Sequence, residues 1–266
     1  MKIHLIGLAA LLLAAGGCAH SRSPASVAAD NAWQVMPPVL SALTGPGAVL
    51  LTNLAGWQGQ VVFTLAAADG HTRQVTGWLA VSQGRLNFES AAAGKNLSGR
   101  FGIIWDTAAN TGWLMSEALQ GAAPVSATNR YTVSQREPNA SGTETRAGHP
   151  VQNALVTLQV SDGKTVQYQV AQATDLALLA LQAVPLTGPA PVTFSVSNLK
   201  LTPAAESEFT PPDDYTKYTD AVALLDELIS RQRTVYSDKD DYHPPAGLME
   251  PPGAQSHFQN NPVYQH

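Results

Sequence analysis

The chain has a single cysteine in 266 residues, Cys18. No disulfide can form within it, so burial of apolar surface alone must hold the fold. Clusters of positive charge are missing as well. Its 15 Lys and Arg are scattered among 20 Asp and Glu, for a formal charge of -5, and nucleic acid is excluded as a partner. The apolar run from Ile3 to Ala15 is shorter than the roughly 20 residues that a transmembrane helix needs.

Signatures of catalysis and metal binding are lacking too. The seven histidines include no His-x-x-x-His pair, and no second cysteine adds a ligand. His4 and His20 precede the body of the chain and His243, His257 and His266 follow it, while His71 and His149 stand in expected solvated turns. Two Ser-x-x-Lys matches occur, Ser161 to Lys164 and Ser197 to Lys200. The first falls on a hairpin turn and the second in a strand, without the Ser-Asp-Asn and Lys-Thr-Gly companions that penicillin-recognising enzymes carry. Gly-x-Ser-x-Gly is absent. The expectation is a protein that is not an enzyme and uses no cofactor and no metal.

What is present begins with Lys2 and the apolar run behind it, the n-region and h-region of a secretory signal. The run ends in Ala15-Gly16-Gly17 directly before Cys18, and LLLAAGGCA resembles the lipobox of bacterial lipoproteins. That resemblance implies cleavage before Cys18, lipidation of its sulfur and acylation of its new amine. Ala19, which is not Asp, resembles the residue that permits sorting to the outer membrane. Two or three acyl chains would hold the protein there with its body facing the periplasm. Ala19 to Ala32 is small, polar and Pro-containing, the composition of a tether.

Val35 to Leu54, with Pro37-Pro38 and Gly45-Pro46-Gly47, reads as an irregular or short helical lead-in. Period-two alternation then starts: Trp57, Gly59, Val61, Phe63 and Leu65 share one face, opposite Gln58, Gln60 and Thr64. Asp69-Gly70 and Ser82-Gln83-Gly84 are hairpin signals around a strand from Thr72 to Val81. Further strands are expected at Arg85 to Glu89, Arg100 to Asp106, Gly112 to Glu117 and Tyr131 to Ser134. Glu137 to His149 reads as a long loop. Alternation resumes with Ala154, Val156, Leu158 and Val160, turns at Asp162-Gly163, and returns through Val166, Tyr168 and Val170. Asp175 to Gln182 is ambiguous, helical by composition but two turns long and closed by Pro185. In the last long strand Val192, Phe194 and Val196 alternate, and the slip at Leu199 and Leu201 predicts a bulge near Asn198. Phe209 to Tyr218 is irregular. A helix from Asp220 to Arg233 gathers Ala221, Val222, Leu224, Leu225, Leu228 and Ile229 on one side. The Pro-rich stretch beyond Tyr236 has the composition of a disordered tail.

This order of strands, with GHPVQNALVTL, VTFSVSNLKL and FTPPDDYTKY, resembles the superfamily of LolA-like and LppX-like envelope lipoproteins across Gly59 to Tyr218. The likeness includes Gly148-His149-Pro150 before a hairpin and a Phe-x-x-Pro-x-x-Tyr element at Phe209, Pro212 and Tyr215. It implies a mainly β fold with one or two α-helices, in which a strongly curved antiparallel sheet, a half-open barrel, is packed on a helix. The expected organisation is a signal peptide at 1–17, a lipidated tether at 18–32, one β domain at 33–234 and a disordered tail at 235–266. An apolar ligand such as a lipid or lipoprotein acyl chain would lie on the concave side of the sheet. Trp57, Phe63, Trp78, Trp105, Trp113 and Phe194 are the candidate contacts, with core packing as the competing role for each. The alternative is a scaffolding lipoprotein with a filled core whose tail engages a protein partner.

Overall fold

The structure is a computed structural model that describes residues 36–66, 72–90, 100–139, 144–187 and 192–240. The expected leader, Cys18, the tether, the Asp69-Gly70 turn and the tail beyond residue 240 lie outside these residues.

Thirteen strands form one large curved sheet that stays open rather than closing into a barrel. They are β1 Gly56–Ala66, β2 Thr72–Ser82, β3 Arg85–Ser90, β4 Phe101–Asp106, β5 Thr111–Ser116, β6 Gly121–Ser126 and β7 Tyr131–Pro138. β8 Glu144–Arg146, β9 His149–Val160, β10 Thr165–Ala173, β11 Leu179–Pro185, β12 Val192–Lys200 and β13 Thr216–Lys217 complete it. The order across the sheet is β13-β6-β5-β4-β3-β2-β1-β12-β11-β10-β9-β7, with β8 also on β9. All pairs are antiparallel except β13, which runs parallel to β6. The mainly β fold expected from the sequence is therefore the observed one.

Turn chemistry sets the register. Gln83 and Gly84 both have positive φ, which joins β2 to β3 through two residues. Gly163, at φ +90°, closes the β9–β10 hairpin, and its N–H donates to the Val160 carbonyl at 2.9 Å. The expected bulge is present: Asn198 has φ 52°, and across from it the pairing of β1 with β12 slips between Gln58 and Gln60.

Cross-strand partners share a face, and the inner face is apolar. Trp57, Val81, Leu86 and Trp105 form one row across β1 to β4. Phe194 and Phe63 are paired, and Phe63 also meets Phe88 edge-on with ring centroids 5.3 Å apart. Phe88 reaches Phe63 by lying over Gly77, where a Cβ would come within 2.4 Å of the Phe88 ring. Only glycine allows that approach.

Helices cover this face. Residues 36–43 are helical (α1), and Pro46–Leu51 forms α2 with Pro46 in its first turn. Met36, Val39, Leu43, Leu50 and Leu51 join the inner core, and the Trp57 Nε1–H donates to the Leu51 carbonyl at 3.0 Å. The lead-in read from sequence as irregular or short helical is thus part of the core. The third helix, α3, spans Ala221–Asp240 and is capped by Asp220, whose Oδ1 accepts the Ala223 N–H at 2.9 Å. Leu224 and Leu228 are buried, whereas Val222 at the margin of the expected apolar arc is 44 % exposed. The ambiguous stretch near Leu179 is strand β11, entered through Ala177 and Leu178 at positive φ. The long loop expected at Glu137 to His149 contains β8 and the last residues of β7.

Residues 203–218 run as a strap over the outer face. Phe209, in the 3-10 turn Glu206–Phe209, packs on Ala80, Ile104, Met115 and Ala122, with Trp113 and Tyr215 alongside. The strap then adds β13 to the free side of β6, and the Tyr218 N–H donates to the Ala122 carbonyl at 2.8 Å. From there α3 returns to the inner side.

Candidate functional site

The structure divides the six candidate aromatics between two faces. Trp57, Phe63, Trp105 and Phe194 lie on the inner face with exposures of 0–1 %. A side chain that a water-sized probe cannot reach adjoins no void of that size, so these four are packed against protein. Trp78 and Trp113 are half-buried on the outer face, where Lys200 Nζ stands 5.1 Å from the Trp78 ring and Lys217 Nζ 5.3 Å from the Trp113 ring. The six residues therefore do not line one surface.

Several polar groups interrupt the inner face, among them Ser90, Ser116, Arg136 and Gln172. Arg136 faces inward opposite Val156, beside Asn53 at the end of α2, whose Oδ1 in the better-bonded amide orientation accepts from Arg136 Nη2 at 2.8 Å. Burial holds the Arg136 pKa below its usual value. Gln172 is 3 % exposed on the side of Val166, Tyr168 and Val170. Arg136 Nη1 and Gln172 Nε2 are both buried with no partner, a state that costs about 1–3 kcal/mol per group.

Among the described residues a concave site lies on the outer face, where β4, β5 and β6 end. A groove of about 590 Å³ lies between Arg85, Asp106, Thr111, Trp113, Ser126 and Phe209. Register places Ile104, Trp113 and Pro124 in one outer row and Asp106, Thr111 and Ser126 in the next. Gly112, between Thr111 and Trp113, faces the inner side opposite Trp105, where a Cβ would meet the Ile104 carbonyl and the Trp105 ring. The β4–β5 turn is shaped by Asp106, whose Oδ1 accepts the N–H groups of Ala108 and Ala109 at 2.8 Å, and by Asn110 at φ 59°. Asn110 Nδ2 also donates to the Ala127 carbonyl, tying the turn to the end of β6.

One wall is the strap. Arg85 makes a two-pronged ion pair with Glu206, with Nη2 to Oε2 at 2.7 Å, and its guanidinium lies 5.0 Å from the Phe209 ring. The pair holds the Glu206 carboxyl below the usual carboxylate range, chiefly through that hydrogen bond.

Of the side chains in the groove, the sequence points to Trp113 as a candidate contact and to Phe209 as part of a motif. It signals no strand at β6, because Pro124 breaks the pattern, although an edge strand tolerates proline. Elsewhere, His149 Nδ1 meets Asp175 Oδ2 at 2.9 Å and joins the first residue of β9 to the turn before β11. Among the described residues no group of three or more His, Cys, Asp or Glu converges as a metal site would require.

No protein-family model and no curated protein matches the sequence. Solved structures resemble the fold at low identity. An uncharacterised conserved protein from Thermus thermophilus is 11 % identical with a TM-score of 0.41, covering 71 % of this chain and 98 % of its own. A LolA superfamily protein from Nitrosomonas europaea is 11 % identical with a TM-score of 0.38, covering 65 % of this chain and 96 % of its own. A putative outer membrane lipoprotein-sorting protein domain from Vibrio parahaemolyticus is 12 % identical with a TM-score of 0.36, covering 68 % of this chain and 97 % of its own. LolA superfamily and lipoprotein-sorting folds are thus among the structural neighbours of this chain.

Proposed function

We propose that this chain is a lipoprotein of the bacterial outer membrane, anchored through Cys18 with its body facing the periplasm, and that the body is a non-enzymatic binding scaffold with a filled interior. The observation that carries the scaffold reading is the complete burial of Trp57, Phe63, Trp105 and Phe194 in one core with residues of α1, α2 and α3. With no water-sized void against those side chains, an acyl chain would have to displace packed core residues to reach them. Binding then falls to the outer surface. The anchor is argued from the lipobox resemblance and tested by Cys18→Ser, which should release the protein from the membrane fraction or leave it unprocessed. Unchanged fractionation overturns the anchor.

A second reading has one observation in its favour. The orphan donors Arg136 Nη1 and Gln172 Nε2 face the inner side, where the polar end of a mostly apolar ligand would satisfy them if α1 and α2 moved aside. Native mass spectrometry of protein taken gently from the membrane separates the two readings. The scaffold predicts a spectrum without lipid adducts beyond the anchor and no displacement of a fluorescent fatty acid. Lipid adducts that the fatty acid displaces would overturn it.

A further inference from the structure

The outer groove has a chemical character of its own, and its charges sum to zero: the Arg85–Glu206 pair, with one carboxylate at Asp106 and one ammonium at Lys217. Arg85 is neutralised by Glu206, Asp106 Oδ1 is engaged by two turn N–H groups, and Lys217 lies over Trp113 while donating to the Pro212 carbonyl at 3.3 Å. Beyond the Arg85–Glu206 pair the groove carries one charge of each sign, Asp106 and Lys217, so it favours no net charge in a ligand. A purely apolar ligand would bury the exposed hydroxyls of Thr111, Ser126 and Thr219, at a desolvation cost with nothing gained. What remains on offer is an indole surface beside a row of free hydroxyl and carboxylate oxygens.

The spacing suits a flat ring with polar edges. The Trp113 row and the Asp106–Thr111–Ser126 row are two residues apart along the strands, about 7 Å by strand rise. A pyranose ring stacked on the Trp113 indole through its C–H face would direct its outer hydroxyls toward that row. A volume of about 590 Å³ lies within the range of small-molecule sites. Lys217 stands over the indole, and it is an exposed side chain held by a long hydrogen bond, free to swing aside.

We propose that this groove binds a neutral, hydroxyl-rich ligand, an oligosaccharide, with Trp113 as the stacking platform and Asp106, Thr111 and Ser126 as hydrogen-bonding partners. This goes beyond the scaffold reading and depends neither on the anchor nor on what fills the interior.

The test is a titration of the Cys18→Ser protein with cellohexaose and with chitohexaose, read by two-dimensional NMR of the indole N–H signals. The expected result is a shift confined to one indole, assigned to Trp113 by its absence in Trp113→Phe, with a Kd on the order of 1 mM. Trp113→Ala should weaken binding by about tenfold or more, as loss of an aromatic stacking partner implies. Thr111→Ala with Ser126→Ala, both exposed and harmless to folding, should weaken it severalfold. Trp78→Ala should leave it unchanged, and Lys217→Ala should leave it unchanged or tighten it. The proposal is overturned if neither sugar moves the Trp113 signal at about 10 mM, ten times the expected Kd. Equal binding by folded Trp113→Ala, or by the double hydroxyl variant, overturns it as well.

Discussion

Phe63→Ala distinguishes a packed interior from a ligand-lined one. Phe63 is wholly buried at the centre of the inner face, edge-on to Phe88 at 5.3 Å and to Phe194 at 6.3 Å. Truncation of a packed Phe costs about 3–5 kcal/mol, and the loss of two aromatic edges puts this site toward the upper part of that range. Against a total stability of roughly 5–15 kcal/mol for a typical domain, a loss of about 4 kcal/mol is severe. For a domain of about 200 residues it corresponds to a fall in Tm of roughly 8–16 °C. The measurement is urea unfolding followed by circular dichroism, with a thermal melt as a second probe. A loss below about 1 kcal/mol would refute the reasoning, since it means the ring has no packed neighbours to lose.

Three other outcomes follow from the same geometry. Gln172→Leu removes a buried donor without a partner and should raise stability by about 1 kcal/mol in the same unfolding assay; a comparable loss would mean that Gln172 is satisfied in solution. Gly77→Ala should cost about 1–3 kcal/mol by overpacking, because the new methyl meets the Glu89 carbonyl and the Phe88 ring at 2.4 Å, and a neutral effect would show that the ring can shift freely. Tyr168, whose pKa burial first and the neighbouring Tyr131 second push up to about 12, should stay protonated until close to that value in an ultraviolet titration. Because its folded pKa lies above the unfolded one, it stabilises the fold fully below about pH 10 and progressively loses that contribution between about 10 and 12; an ordinary titration near 10 would contradict its burial.

The parts of the chain legible in advance are those where physics is local. Alternation along Trp57 to Leu65 and Val166 to Val170 reports one buried face directly, since successive strand residues point to opposite sides. Asp162-Gly163 and Ser82-Gln83-Gly84 name their turns, and the phase slip after Ser197 reveals the bulge that Asn198 makes at φ 52°. Asp220 announces the start of α3. Misread or unread elements have weak local signals. Leu179–Pro185 carries a helical composition but joins the sheet, because neighbours on both sides supply its backbone hydrogen bonds. Pro124 hides β6, and β13 is two residues long.

The sequence by itself determined a mainly β chain, most strand positions and the buried side of β1, β9, β10 and β12, because periods of two and turn residues need no partner to be read. Only the tertiary structure decided what covers the buried side and which exposed residues come together. The packing of α1 and α2 beneath the sheet, which gives four candidate aromatics a core role, depends on contacts such as Trp57 to the Leu51 carbonyl that no periodicity encodes. The outer groove arises from Arg85, Asp106, Trp113 and Ser126 on four strands and from Phe209 on the strap. Its assembly rests on strand order and on the path of residues 203–218 around the β6 edge, and those are properties of the whole sheet rather than of any stretch of chain.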